Sequence, residues 1–241
     1  MTDLLLIGGA TPEMLERLGA AFTVHRLSDA ADPVSWLAEH GAKIHYVATN
    51  GHDGVKPDYI KALPNLKLIS CYGVGYDAID TNLARAGGIM VTHTPNVLNA
   101  EVASTALMLM LACYRNLLAD DAYVRSGDWE TRGNASLSRS ADNQVVGIVG
   151  LGRIGQAIAD KLAPFNATIL YHARSQKMVP YQYCESLLDM ARASDVLICI
   201  TPGGEATNKL INAEVINALG PKGTLINVSR GSVVDETAMI A

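Results

Sequence analysis

Three glycines near the middle of the chain have the spacing of a pyrophosphate-binding turn. Gly150, Gly152 and Gly155 follow an apolar run at residues 145–149 and precede an amphipathic stretch, as in the G-x-G-x-x-G turn of dinucleotide-binding units. The first glycine permits the tight turn, the second admits a diphosphate, and the third lets helix pack on strand. Free N–H groups at the helix start then attract the anion. The residues between the glycines belong to the same predicted turn: Leu151, Arg153 and Ile154.

A basic segment follows the next predicted strand. In NAD-specific sites an acidic residue about twenty positions past the glycines hydrogen-bonds the adenosine ribose. Residues 171–177 contain no Asp or Glu, but they include Arg174, Ser175 and Lys177. These side chains could bind a 2′-phosphate, the guanidinium by bidentate pairing. A solvated basic loop is the alternative, but beside a glycine turn the pattern favours NADPH, with NADH as the second candidate.

Two later apolar strands end in polar residues, at the sheet edge where ligands of open α/β sheets bind. Thr201 and Pro202 follow one strand, and Val228, Ser229 and Arg230 follow the next. Because burying an unpaired guanidinium is costly, Arg230 is expected to face either a structural carboxylate or that of a substrate.

Short apolar runs alternate with helical stretches on both sides of a central break, which predicts two domains with mostly parallel sheets. Before the break we predict strands at residues 4–7, 23–27, 46–49, 66–71 and 89–92, and helices at 12–20, 33–40, 57–63 and 81–86. After it we predict strands at residues 145–149, 168–171, 196–200 and 224–228, and helices at 153–165, 184–193, 213–219 and near 235.

The break itself begins at Thr94-Pro95-Asn96. Residues 97–118 are predicted to form one long apolar helix, residues 120–127 a second helix, and residues 128–143 a polar exposed arm. The predicted buried face of the long helix is Val102, Ala106, Leu109, Met110 and Cys113. Such an apolar helix predicts an interface, and we expect a homodimer.

Composition excludes several functional classes. A net charge of −5 and a pI of about 5.6 argue against nucleic acid or an anionic membrane as an obligatory partner. The N-terminus is neither long nor basic enough for a signal peptide, and the apolar stretch at residues 103–113 is too short to cross a bilayer. The four cysteines form no metal-ligand spacing. We therefore expect a cytoplasmic protein with buried reduced thiols and no metal.

Several motifs in consistent order resemble the D-isomer-specific 2-hydroxyacid dehydrogenases over nearly the whole chain, and more closely the NADPH-preferring glyoxylate/hydroxypyruvate reductase branch. The motifs are Gly73-Val74-Gly75-Tyr76-Asp77, Thr94-Pro95-Asn96, the glycine turn, Thr201-Pro202 with Thr207, and Ile226-Asn227-Val228-Ser229-Arg230-Gly231. The resemblance implies two Rossmann/flavodoxin-like doubly wound parallel-sheet domains with an interdomain cleft. Residues 1–96 would be the N-terminal part of a substrate domain and residues 97–241 an incomplete NAD(P)-binding domain.

The resemblance also implies a reaction, the reduction of a small 2-oxo acid to its D-2-hydroxy acid by hydride transfer. Arg230 would pair with the substrate carboxylate and carbonyl oxygens, and the N–H groups of Val74 and Gly75 would bind the other side of the carboxylate. The cofactor would contact the glycine turn, the basic segment, Thr201, Pro202, Thr207, Val228 and Ser229.

In the family, a glutamate and a histidine beyond the arginine form the proton-donating pair, and no histidine in residues 1–241 matches that position. His52 and His93 are expected to be loop residues. Residues 1–241 alone are therefore expected to be catalytically poor, since general acid catalysis contributes about 10²–10⁴-fold. We expect a longer protein, with an intact mass above 25.6 kDa. Two alternatives to the enzyme are a non-catalytic NAD(P)-sensing protein on the same fold and a Rossmann scaffold without ligand.

Overall fold

A computed structural model describes residues 1–241, which form two compact units, Met1–Val97 and Leu98–Ala241. The boundary lies one residue beyond the predicted one, directly after the Thr94-Pro95-Asn96 break. Each unit contains its own five-stranded sheet.

The first unit is a parallel sheet with the strand order β2-β1-β3-β4-β5, which is the flavodoxin-like order. Its strands are β1 (Thr2–Leu6), β2 (Phe22–Arg26), β3 (Ile44–Asn50), β4 (Leu68–Tyr72) and β5 (Met90–Thr92). Its helices are α1 (Pro12–Ala21), α2 (Pro33–His40), α3 (Pro57–Lys61) and α4 (Thr81–Ala86). The helix starts were predictable because α1, α2 and α3 each carry proline in the first turn.

The second unit contains helices α5 (Asn99–Tyr114), α6 (Leu117–Arg125), α7 (Asp128–Arg132), α8 (Arg153–Leu162), α9 (Leu187–Ala193), α10 (Ala213–Leu219) and α11 (Glu236–Ile240). Its strands are β6 (Val145–Val149), β7 (Thr168–His172), β8 (Gln182–Tyr183), β9 (Val196–Cys199) and β10 (Thr224–Asn227). They run parallel in the order β10-β9-β6-β7-β8. When β6 to β10 are numbered 1 to 5 and the sheet is read from β8, the order is 3-2-1-4-5. This is the order of the Rossmann fold, so the predicted fold class is confirmed.

The predicted long helix at residues 97–118 is too long: α5 ends at Tyr114, and α6, which corresponds to the predicted second helix at 120–127, already begins at Leu117. The chain breaks between α5 and α6 at Asn116, whose φ of 52° is left-handed. Asparagine tolerates this conformation better than other side chains. Neither glycine nor proline marks the break, so the apolar pattern placed it a few residues too late.

The predicted buried face of this helix is also partly wrong. The buried residues of α5 are Ala103, Ala106, Met110 and Tyr114, and they pack in one core with Ile158 and Leu162 of α8. Cys113 is exposed, and Val102 and Leu109 are only partly buried. Two alanines on the inner face leave room for a close helix contact, and an almost uniformly apolar helix cannot reveal which face that is.

The polar arm at residues 128–143 is more ordered than predicted. It contains α7, and Arg139 fixes its far end by donating to the Lys222 carbonyl at 2.6 Å and to the Thr224 hydroxyl at 3.0 Å. The guanidinium also lies 4.3 Å from the centre of the Tyr114 ring. These contacts attach the arm to β10, so it is not a free linker.

Two smaller differences concern strands and thiols. The short strand β8 was not predicted, and α9 begins only at Leu187, where the Ser186 hydroxyl caps it, instead of at Cys184. Cys71 and Cys199 are buried as expected, Cys184 is partly buried, and the prediction is wrong for Cys113. No single helix is long and apolar enough to cross a membrane; only α5 and α6 together, bent by 59°, have the length and composition.

Candidate functional site

The glycine turn lies where the strand order of the second unit reverses. Gly150 has a φ of +100°, and a Cβ there would lie 3.0 Å from the carbonyl oxygen of Ile200 and from the backbone nitrogen of Thr201. A side chain at Gly150 would therefore strain the backbone and clash with the loop after β9. The turn after β6 and the loop after β9 thus meet at the switch point, the place where dinucleotides bind in this fold.

The other two glycines have opposite surroundings. A Cβ at Gly152 would meet nothing within 4 Å, whereas one at Gly155 would lie 2.4 Å from the carbonyl oxygen of Gly150. Gly155 therefore allows α8 to pack on the turn, and Gly152 leaves open space in front of the helix. No side chain caps α8, so its first N–H groups remain available to an anion.

The residues between these glycines can contribute in different ways. Leu151 is 1% exposed and its side chain belongs to the core, so only its backbone can reach a ligand. Ile154 is partly buried against the same core. Arg153 is exposed at the first position of α8 and forms no ion pair, which leaves its guanidinium available to a phosphate.

The basic loop, residues 173–177, follows β7 at the same edge of the sheet. The side chains of Arg174, Ser175 and Lys177 are exposed, and neither cation pairs with a carboxylate. Gly150, at the end of the neighbouring strand, donates to the carbonyl of His172 at 2.9 Å, so the loop starts directly beside the glycine turn. Two unpaired cations and a hydroxyl in this place suit a ribose 2′-phosphate.

Tyrosines that were not predicted fix the basic loop. The Tyr171 hydroxyl accepts from the Lys177 N–H at 2.8 Å and donates to the Lys177 carbonyl at 3.3 Å. The Tyr183 hydroxyl donates to the Ala173 carbonyl at 3.3 Å. The only sequence signal was a tyrosine on each side of the loop, and it does not predict these hydrogen bonds unless the pairing of β7 with β8 is known.

The loops after β9 and β10 are joined to each other. The Ser229 hydroxyl donates to the Thr201 carbonyl, and Val228 donates its N–H to the Cys199 carbonyl at 3.1 Å. The Thr207 hydroxyl donates to the Pro202 carbonyl at 2.7 Å and closes the first of these loops. All five predicted cofactor contacts of this group therefore lie in two linked loops at the carboxyl edge: Thr201, Pro202, Thr207, Val228 and Ser229.

Thr201 carries the one buried side-chain polar atom without a hydrogen-bond partner, its Oγ1. Such groups are rare because leaving one unpaired costs about 1–3 kcal/mol. This hydroxyl lies beside the glycine turn without a hydrogen-bond partner, so it can donate a hydrogen bond to a bound dinucleotide.

Arg230 follows β10, and its side chain is partly buried. Its Nη1 lies 3.3 Å from the Ser229 carbonyl, and the Asn227 side chain donates to the Arg230 carbonyl at 2.9 Å. The Asn227 bond fixes the backbone of the arginine at the carboxyl edge, and the Ser229 carbonyl orients its guanidinium. A guanidinium held there can bind a carboxylate by two parallel hydrogen bonds.

In the first unit, Val74 and Gly75 lie in the loop after β4, and their backbone N–H groups donate no hydrogen bond within this unit. Hydrogen bonds to two carbonyl groups fix this loop and leave the two N–H groups unused. Thr94 donates to the Gly73 carbonyl at 2.9 Å, and a ring nitrogen of His93 lies 3.0 Å from the Val74 carbonyl. His93 also packs edge-on against Tyr76, with 4.8 Å between ring centres. Two adjacent free N–H groups can bind one carboxylate.

The buried cysteines and the positions of the possible metal ligands do not favour thiol or metal chemistry. Burial raises the pKa of Cys199 to about 12, and it also raises the pKa of Cys184, so both stay protonated near neutral pH. The structure contains no group of three or more His, Cys, Asp or Glu residues that could hold a metal ion.

Comparison with known proteins identifies the family. Residues 107–241 match the D-isomer specific 2-hydroxyacid dehydrogenase, NAD binding domain. The chain is 42% identical over 205 residues to glyoxylate/hydroxypyruvate reductase A of Arabidopsis thaliana, covering 85% of this chain and 65% of that protein. It is 38% identical over 242 residues to 2-ketogluconate reductase of Gluconobacter oxydans, covering 99% and 76%.

A solved structure shows the same relationship. The NADPH-dependent glyoxylate/hydroxypyruvate reductase of Sinorhizobium meliloti, in complex with NADP and malonate, matches with a TM-score of 0.91 and 41% identity, covering 99% of this chain and 74% of that one. The chain thus spans about two thirds to three quarters of the length of these relatives. It belongs to the D-isomer-specific 2-hydroxyacid dehydrogenases, a family of NAD(P)-dependent oxidoreductases.

Proposed function

We propose that the protein reduces a small 2-oxo acid, of the glyoxylate or hydroxypyruvate type, to the D-2-hydroxy acid with NADPH as the preferred reductant. The observation that carries the proposal is the open space at Gly152 in front of the uncapped helix α8, beside a loop with unpaired cations. The names of the relatives support a 2-oxo acid as substrate.

The residues of the second unit would hold the two ends of the cofactor differently. The N–H groups of α8 and the Arg153 guanidinium would bind the diphosphate, and Arg174 with Ser175 and Lys177 would bind the 2′-phosphate. The Thr201 hydroxyl offers a further hydrogen bond. The bound nicotinamide would supply the hydride.

Arg230 would bind the substrate. Its guanidinium would pair with the carboxylate and draw electron density from the carbonyl oxygen, which stabilises the negative charge that develops there. The proposal rests on Arg230 as the cation at the end of β10, with its backbone held by Asn227 and its guanidinium beside the Ser229 carbonyl. Val74 and Gly75 remain predicted carboxylate ligands.

The test combines binding with turnover. We expect NADPH to be oxidised on addition of glyoxylate or hydroxypyruvate, followed by its absorbance at 340 nm, and residues 1–241 alone to be about 10²–10⁴-fold slower than a protein with the proton-donating pair. Oxamate, an unreactive 2-oxo-acid mimic, should bind tightly only when the nucleotide is present, and this measurement does not depend on the proton donor. Nucleotide binding that changes the oligomeric state, with neither oxamate binding nor turnover, would establish the sensor alternative instead.

The cofactor preference is tested at Arg174. Charge-assisted hydrogen bonds are worth about 1.5–3 kcal/mol, so Arg174→Ala should weaken NADPH binding by about ten- to a hundredfold and leave NADH binding unchanged. Arg26 is the matched control, because it ends β2 in the first unit and pairs with Asp29 at 3.9 Å. Equal weakening of both nucleotides by Arg174→Ala would contradict the 2′-phosphate assignment.

We also propose that the protein is a homodimer through the second unit. Large apolar side chains are exposed along its first helices and the arm: Met108, Leu117, Leu118, Val124, Trp129 and Leu137. Leu118→Glu should yield monomers in light scattering, whereas Val34→Glu, at an exposed apolar position of α2, should not. A wild-type monomer at micromolar concentration would refute the proposal.

A further inference from the structure

Both ends of the basic loop are held by tyrosine hydroxyls. Tyr171 binds both the N–H and the carbonyl of Lys177, where the loop ends, and Tyr183 binds the carbonyl of Ala173, where it begins. The two rings contact each other, with 5.4 Å between their centres. The loop is therefore bound to a pair of neighbouring side chains on β7 and β8.

The segment after the loop is fixed in the same way. The Tyr181 hydroxyl donates to the Asp160 carboxylate of α8 at 3.1 Å. This bond joins the chain that returns to β8 to the helix whose N-terminus faces the glycine turn. The basic loop consequently has a fixed position relative to the proposed diphosphate site.

The tyrosines contact backbone or Asp160, and none of them contacts Arg174 or Ser175 by a hydrogen bond. Tyr171 is 0% exposed, so its hydroxyl cannot reach a bound nucleotide. Its effect on a ligand must therefore pass through the conformation of the loop. A loop ordered in advance loses less conformational entropy when its side chains bind a phosphate.

We propose that Tyr171, supported by Tyr183, is a positioning residue for cofactor selectivity. It holds residues 173–177 in the conformation in which the guanidinium, hydroxyl and ammonium groups converge on a 2′-phosphate. This inference rests on the proposed preference for NADPH. NADH lacks the 2′-phosphate and makes no use of the ordered loop, so the hydroxyl contributes to the binding of one nucleotide and not to that of the other.

The experiment uses two adenosine fragments that differ at this position. Adenosine 2′,5′-bisphosphate and 5′-AMP are titrated calorimetrically into the wild type, Tyr171→Phe and Tyr183→Phe. Loss of a hydrogen bond to the loop should weaken binding of the bisphosphate by about three- to tenfold and leave 5′-AMP unchanged. Tyr123→Phe is the matched control, because its hydroxyl also donates to a backbone carbonyl, that of Gly133 at 3.1 Å, on the arm.

The outcomes separate this inference from the proposed function. A wild type that binds both fragments equally overturns the NADPH preference and this inference with it. A wild type that prefers the bisphosphate, with the same preference in both Phe variants, overturns this inference alone. Equal weakening of both fragments in the variants also overturns it, because that result indicates a structural role only. Tyr183 is partly exposed, so Tyr183→Phe provides the measurement if Tyr171→Phe does not fold.

Discussion

The two sheets share an architecture but end their first strands differently. In the second unit, β6 runs into a glycine turn with open space at Gly152 and a helix without a side-chain cap. In the first unit, β1 leads to α1, which begins with Pro12 and is capped by the Thr11 hydroxyl, 3.2 Å from the Met14 nitrogen. The turn between them is closed at Gly8, where a Cβ would lie 2.0 Å from the Asp53 carboxylate, but it is open at Gly9, where a Cβ would meet nothing within 4 Å.

This difference shows that a doubly wound parallel sheet does not by itself make an anion site. Both sheets place loops at the carboxyl ends of their strands, where ligands of this architecture bind. The first unit satisfies the start of α1 with its own hydroxyl and proline, whereas the second leaves the start of α8 to an external partner. The position of a few small residues therefore decides which sheet leaves the N–H groups at the start of a helix open to an anion.

Gly152→Asp should remove this difference between the two helix starts, and of the variants considered it should have the largest effect on nucleotide binding. Aspartate is a favourable N-cap, and there is room for it, so the melting temperature should stay the same or rise. Its carboxylate would stand at the proposed diphosphate site, and like charges in contact cost several kcal/mol. We expect nucleotide affinity to fall at least about a hundredfold.

The complementary variant removes the cap from the first unit. Thr11→Gly should lower stability slightly and create no nucleotide binding, since α1 keeps its proline and the Asp53 carboxylate stays beside Gly8. Calorimetry with NADPH and thermal denaturation check both variants. Unchanged NADPH affinity in Gly152→Asp would show that the diphosphate binds elsewhere.

Gly155→Ala tests the packing side of the same turn and should have an intermediate effect. The added Cβ would lie 2.4 Å from the Gly150 carbonyl oxygen, so α8 must move away from the turn. Overpacking of this kind typically costs about 1–3 kcal/mol, and nucleotide binding should weaken as the N–H groups shift. The measurement is chemical denaturation together with NADPH titration.

Gly19 is the matched position in the first unit, because it lies in α1 and a Cβ there would meet nothing within 4 Å. Gly19→Ala should raise stability by about 0.5–1 kcal/mol through helix propensity alone. A stabilising Gly155→Ala would mean that α8 tolerates a wider separation from the turn than the structure indicates.

The sequence was sufficient for the parts of this site that depend on local chemistry. The G-x-G-x-x-G spacing located the turn, and the missing acidic residue after β7 located the basic loop, because both are recognised from residue types at fixed spacings along the chain. Continuous apolar runs alternating with helices predicted two mostly parallel sheets, and the resemblance to the family implied that they are doubly wound.

The parts that depend on long-range packing could not be predicted. The roles of Tyr171 and Tyr183 arise only when β7 pairs with β8, and β8 is two residues long. The break at Asn116 is set by backbone conformation within an apolar stretch, and the buried face of α5 is set by α8. An apolar pattern indicates that a helix is buried, but it does not indicate which element the helix packs against.

Asp32 in the first unit should give the smallest effect, and a pH-dependent one. Its carboxylate caps α2 by accepting from the N–H groups of Val34 and Ser35 at 3.2 and 3.1 Å. The Ser35 hydroxyl, followed by these two N–H groups, holds the pKa of Asp32 below its ordinary value. A lowered pKa means that the ionised group adds stability that is fully present above the unfolded-state pKa of about 3.9. That stability is lost as the pH falls through the lowered value in the folded state.

Asp32→Asn keeps the cap geometry but removes the charge, so it isolates this term. The melting temperature of the wild type should exceed that of the variant near pH 6, and the difference should shrink below about pH 4. A difference that stays constant from pH 7 to about pH 2.5 would show that the cap acts through its hydrogen bonds alone. In that case the starts of α2 and α8 would differ only in the source of the hydrogen-bond acceptor, which is the Asp32 side chain for α2 and the nucleotide for α8. The phosphate oxygens would then matter more to α8 as hydrogen-bond acceptors than as carriers of negative charge.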